Sequence, residues 1–252
     1  MNTTRWTAAL LLAATGAGSA HSSPTPSGNA AVPPPVLTVA AAPADAAPAA
    51  PAAPAEGRPG PNAALPGPGE ARPPSLPDVL LALRQLYERT GGNRWARRRG
   101  WPTTPAAWQQ ATLASVARWE GIKVANGRVV ELNLMDNRLT GSLPPELGRL
   151  TDLEGLALGA NQLTGPLPPE LSQLAALTEL SLHSNRLSGT LPSALGQMRQ
   201  LKYLLLNNNQ FTGPLPSELS QLTALEALGL IDNQFTGPLP PGLERFADQL
   251  PR

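Results

Sequence analysis

The sequence predicts an α/β solenoid: a right-handed superhelix with a parallel β-sheet on its concave face and a helical cap at its N-terminal end. Three observations carry this prediction. Asn137, Asn161, Asn185, Asn209 and Asn233 recur at intervals of 24 residues, leucines stand at fixed offsets around each, and a Gly-x-Leu-Pro segment follows each at constant distance. A fixed period of this length marks one supersecondary unit stacked on copies of itself, because a single copy cannot bury its own apolar face.

The elements are taken in chain order. Arg5 precedes an apolar stretch from Trp6 to Gly16, and Gly18-Ser19-Ala20 place small residues before His21, so residues 1–20 are similar to a secretory signal peptide. The stretch is shorter than the roughly 20 apolar residues that span a bilayer, so the protein is not expected to cross the membrane. Residues 21–75 are dominated by Ala, Pro, Ser and Gly. Such a segment lacks the apolar surface to offset its ordering entropy and predicts a disordered, proline-stiffened linker. The same composition suits a leader for delivery into a host cell, which stays open as an alternative.

Residues 76–127 predict the cap: an amphipathic helix with Val79, Leu80, Leu83 and Leu86 on one face, then Trp95, Trp101 and Trp108, then Trp119-Glu120-Gly121-Ile122. Residues 128–246 predict five repeats, and 247–252 a short tail. The second repeat fills its frame with Leu153, Leu156, Leu158, Asn161, Leu163, Gly165, Leu167, Pro168, Leu171 and Leu174. Within it, Leu-x-Leu packs a short strand against the core while the residues between point outward, since side chains alternate across a strand. The asparagine follows because the sharp turn at each strand end leaves backbone groups facing inward, and a short amide can both donate to and accept from them. The Gly-x-Leu-Pro segment suits a turn and an extended return path on the outer side.

This frame is that of a leucine-rich repeat, and its L-x-G-x-L-P-x-x-L core resembles the plant-type repeat of receptor-kinase ectodomains and polygalacturonase-inhibiting proteins. The resemblance covers the repeats, and the preceding segment is similar to the N-terminal cap of that family. It implies a non-catalytic recognition module, with inhibition of a secreted enzyme or engagement of a host leucine-rich receptor as two forms of it. Plant caps carry a cysteine on either side of the W-x-G motif, where this chain has Ala117 and Val124, and it contains no cysteine at all. Tryptophan burial is therefore expected to hold the cap in place of a disulfide, as in bacterial members of the group. The signal-like start predicts a secreted, periplasmic or envelope location; export usually invites disulfides, so the lack of cysteines and a single N-x-[ST] sequon at Asn2, inside the expected signal peptide, favour a bacterial exported protein over a eukaryotic ectodomain.

Net charge is +1, unevenly placed: the cap carries eight Lys/Arg against three acids, the repeats seven against eleven. Arg97-Arg98-Arg99 between two tryptophans offers a contact for an anionic surface, which defines an alternative in which the basic cap adheres to a polymer. The balance of the whole chain excludes a nucleic-acid partner, which calls for a strongly basic domain.

The outward positions of the sheet supply the candidate partner-binding residues: Glu131, Asn133, Met135, Asp136, Glu179, Ser181, His183, Tyr203, Leu205, Asn207, Ile231 and Asp232. With Glu154 and Glu226 they set acids against Lys202 alone, around an apolar strip from Tyr203, Leu205 and Ile231. That pattern suits a basic or mixed apolar peptide or protein. Gly155, Ala157, Gly159 and Ala160 in the second repeat leave room for close approach by a backbone. The last coil, without a distinct closing module, offers a surface for self-association.

No catalytic centre is expected. His21 and His183 are the two histidines, and Ser181 or Ser184 beside His183 on an open sheet has neither oxyanion donors nor a water-excluding pocket. Scattered carboxylates lack the spacing of zinc or calcium ligands, and there is no phosphate or dinucleotide loop, so neither metal nor cofactor is predicted.

Overall fold

The computed structural model describes residues 73–249. The expected signal peptide, nearly all of the expected linker and the end of the tail lie outside the described residues.

The cap opens with helix α1 (Leu76–Arg89). Ser75 caps it reciprocally with Asp78, satisfying two of the amides that a helix start leaves bare. Asp78 also accepts from Arg149 at 2.7 Å, tying the helix to the first repeat. Val79, Ala82, Leu83, Leu86 and Tyr87 are buried along one face. Two short helices follow, α2 (Pro105–Gln109) and α3 (Leu113–Val116), each started by a threonine N-cap.

Trp95, Trp101, Trp108 and Trp119 are all buried, none above 6 % exposed, and they meet Tyr87 in one cluster with neighbouring ring centres 4.9–6.4 Å apart. Two of the indoles also have their N–H satisfied, Trp95 by the Thr90 carbonyl and Trp101 by the Glu120 carbonyl. Each ring removes some 150–250 Å² from water, so five together supply the apolar area that a small cap otherwise lacks.

The principal sheet runs β1 (Ile122–Ala125), β2 (Arg128–Asn133), β4 (Gly155–Ala157), β6 (Glu179–Ser181), β8 (Tyr203–Leu205) and β10 (Ala227–Gly229). Strands β2 to β10 are parallel and in strict register, with Leu132, Leu156, Leu180, Leu204 and Leu228 side by side and at most 2 % exposed. Burying each contributes about 1.5–3 kcal/mol relative to leaving it in water. Strand β1 departs from the solenoid: it pairs antiparallel with β2 through a tight hairpin. Asn126 and Gly127 at its tip both have positive φ, the geometry of a two-residue turn matched to strand twist.

The return path holds more regular structure than the sequence suggests. Residues after each asparagine form a second parallel sheet, β3 (Thr140–Gly141), β5 (Gln162–Gly165), β7 (Arg186–Gly189), β9 (Gln210–Pro214) and β11 (Gln234–Thr236). A 3₁₀ turn follows each, beginning at Pro145, Pro169, Ser193, Ser217 and Glu244. Stacking at a constant period brings these backbones within hydrogen-bonding range, which a single repeat viewed alone does not reveal.

The asparagines act as scaffold. The Asn161 amide oxygen accepts from the N–H groups of Asn137 and Leu139, while its amide donates to the carbonyls of Leu134, Leu158 and Gly159. Asn185, Asn209 and Asn233 likewise each bridge their own turn to the preceding repeat. The residue before each asparagine is left-handed: Asp136, Ala160, Ser184, Asn208 and Asp232. At the far end Leu243 and Phe246 are buried, and Arg245 donates to the Leu225 carbonyl, so the last coil is partly closed by its own chain.

Candidate functional site

The register of the principal sheet sorts its outward residues into rows. One row reads Glu131, Gly155, Glu179, Tyr203, Ala227, and the next Asn133, Ala157, Ser181, Leu205, Gly229. Beyond the strand ends, backbone bonds between successive repeats set Met135, Gly159, His183, Asn207 and Ile231 in a third row. The candidate residues therefore share one face, with Asp136 and Asp232 exposed at its edge. Ser181, Leu205 and Asn207 are buried rather than exposed, and Leu205 lies outside the core cluster.

The small residues of this face do not all leave space. A side chain built at Gly159 would strike the His183 ring at 2.6 Å, and one at Gly229 would strike the Asn207 amide at 2.5 Å. Those two glycines exist to receive a neighbour's side chain. At Gly155 the nearest group is the Glu131 Cγ at 3.5 Å, an ordinary contact, so the space above it is open.

Around that opening lies a hollow of about 470 Å³ bordered by the cap and the first three repeats. Arg97 and Lys123 stand on its cap side, Glu131, Glu154 and Glu179 on the sheet, and Gly155, Ala157 and Ser181 along its floor. Lys123 and Arg97 enter the site unannounced by the repeat pattern. Lys123 is brought there by the β1 hairpin, whose one signal in the sequence is the Asn126-Gly127 pair.

Electrostatics differ along the rows. Burial, then the like charge of Glu131, raises the pKa of Glu179 above the ordinary carboxylate range. Lys123 approaches Glu131 at 3.5 Å, an exposed pair of small energetic weight. Farther along, the Tyr203 hydroxyl donates to Glu226 at 2.7 Å and Lys202 pairs with the same carboxylate at 3.2 Å. The Tyr203 hydrogen bond, then that of Lys202, lowers Glu226, and the bond to Glu226 raises Tyr203. Burial lowers His183, which favours neutral imidazole, and its Nδ1 lies 3.2 Å from the Ser184 hydroxyl. The other edge of the ring packs over Gly159 rather than against a carboxylate.

The arginine run of the cap is exposed, and parts of it bond to neighbouring residues. The Arg97 guanidinium donates to the Met135 carbonyl, and its backbone exchanges two hydrogen bonds with the Asn137 side chain. Asn137 thus does for the cap what Asn161 does for the first repeat. The Arg99 amide donates to Glu120, and Arg98 reaches toward the Tyr87 hydroxyl at 3.5 Å. Among the described residues no group of three or more His, Cys, Asp or Glu is placed to hold a metal ion, and no helix is long and apolar enough to cross a membrane.

Comparison with known proteins agrees with this architecture. A leucine rich repeat family model matches residues 127–187 and 175–235. The chain is 31% identical to Pollen Receptor Kinase 3, with a TM-score of 0.50 over 66% of this chain and 75% of that one. A chain of the BIR3–SERK2 complex from Arabidopsis thaliana is 29% identical, with a TM-score of 0.58 over 67% of this chain and 88% of that one. The BIR2 ectodomain from the same plant gives 28% identity and a TM-score of 0.58 over 64% and 83%. No curated protein matches the sequence. The chain belongs to the leucine-rich-repeat family, with repeats similar to those of plant receptor-kinase ectodomains.

Proposed function

We propose that this protein is a non-catalytic recognition module that binds a peptide or protein through the concave face of its solenoid. The observation that carries this reading is the hollow bordered jointly by the cap and three successive repeats, with charged and small residues presented together on one rigid face. Rigid sheets hold such groups in place before binding, so little entropy is lost when a partner docks. Relatives lend support: the BIR3–SERK2 structure is a complex of two proteins, and BIR2 is an ectodomain. The likeness to ectodomains and the signal-like residues 1–20 support an extracytoplasmic location as part of this proposal.

The test is a cross-linking capture from culture fluid with the full chain, a concave variant carrying Glu179→Lys and Tyr203→Ala, and an outer-face variant carrying Glu170→Lys. A partner lost with the concave variant alone supports the reading. Equal capture by all three overturns it.

A further inference from the structure

We infer that the hollow over Gly155 is a subsite for one cationic side chain, lysine or arginine, of a polypeptide partner; this rests on the concave-face reading above. Glu131 and Glu179 flank Gly155 in a single row of the sheet. Parallel neighbours lie about 4.8 Å apart, so the strands bearing the two acids are roughly 10 Å apart, with the strand between them contributing no side chain at the Gly155 position. The gap matches a guanidinium or ammonium group held between two carboxylates.

The missing side chain is not explained by packing. Gly159 and Gly229 on the same face are filled by His183 and Asn207, whereas the space at Gly155 is taken by nothing closer than ordinary contact. The charges inside are also incompletely matched. Lys123 approaches Glu131 from the rim, Arg97 donates to the Met135 carbonyl rather than to an acid, and among the described residues no basic group forms an ion pair with Glu179 or Glu154. A half-buried carboxylate held near another acid without a cation is an unfavourable arrangement that a ligand cation would relieve.

A second, independent feature points the same way. Ser181 lines this hollow, is 1 % exposed, and its Oγ has no hydrogen-bond partner. Buried hydroxyls are almost always satisfied, so an orphan at the floor of a recess marks a place where a ligand donor fits. Ile122, Val130 and Met135 on the wall supply apolar surface for the methylene stem that both lysine and arginine carry.

The experiment is a titration of the isotope-labelled full chain, followed by the backbone amide signals of Gly155, Ala157 and Ser181. The probes are the acetylated amides of arginine and lysine, and as neutral counterparts those of citrulline and norleucine. The cationic probes should shift these signals saturably and the neutral ones should not. Glu179→Gln should weaken binding at least tenfold, as expected when one of two charge-assisted partners is removed. Ser181→Ala should weaken it less, and Glu170→Gln on the outer face not at all. Signals moved equally by charged and neutral probes, or unmoved by either, would overturn the subsite. If Glu179→Gln also leaves the captured partner in place while the double concave variant loses it, the subsite fails and the recognition face stands.

Discussion

Replacing Asn161 by alanine probes the internal bridge on which the repeat stack depends. Its side chain accepts from two buried N–H groups at 2.9 and 3.0 Å and donates to three carbonyls at 2.9–3.0 Å. Truncation strands the amides of Asn137 and Leu139 inside the turn. Each buried group left unsatisfied costs about 1–3 kcal/mol, so about 4 kcal/mol is expected in all. Native domains have about 5–15 kcal/mol of stability, so this single change consumes a large part of it.

The appropriate control is Asn233→Ala. That asparagine is half-buried, accepts from Phe211 alone, and water can replace it, so about 1–2 kcal/mol is expected. Urea unfolding followed by tryptophan fluorescence reads the cap, and amide exchange in residues 134–163 reads the turn directly. A solenoid can unfold in parts, so both probes are required. Equal losses for the two variants, or a loss for Asn161→Ala below about 1 kcal/mol, would refute the assignment of these amides to an inaccessible interior.

Ala160 sits in the left-handed region with φ 53, where the equivalent positions hold Asp136, Ser184, Asn208 and Asp232. Ala160→Asn should therefore stabilise the chain by about 1 kcal/mol, visible as a higher urea midpoint, and an unchanged or lower midpoint would reject the strain argument. Burial holds His183 below the ordinary histidine value of 6.5, so the unfolded chain takes up the proton first. Its contribution should be intact above that pH and fade as the pH falls toward the depressed native value. His183→Gln should flatten this limb of the stability curve, and a slope identical to that of the parent would discard the prediction.

The solenoid was legible because its determinants are periodic. Leu-x-Leu, the asparagine and Gly-x-Leu-Pro return at a constant interval, and each position has one physical role that the next copy repeats. Tryptophan burial in a cysteine-free cap was legible too, since apolar rings in so short a segment have few other places to go. The second sheet and the β1 hairpin were not, because they arise from backbones that meet only when copies stack or when the chain turns at Asn126-Gly127.

For the candidate site, the sequence by itself determined which residues share a face, because a strand's alternation fixes that parity. Only the tertiary structure decided their surroundings: that Gly159 receives the His183 ring while Gly155 stays open, that Ser181 is buried without a partner, and that Arg97 is held by the first repeat. The reason is one of distance. Parity along a strand is a local property of the chain, whereas an open gap, an orphan hydroxyl or a committed guanidinium depends on groups 22–40 residues away that only folding brings within a few ångströms.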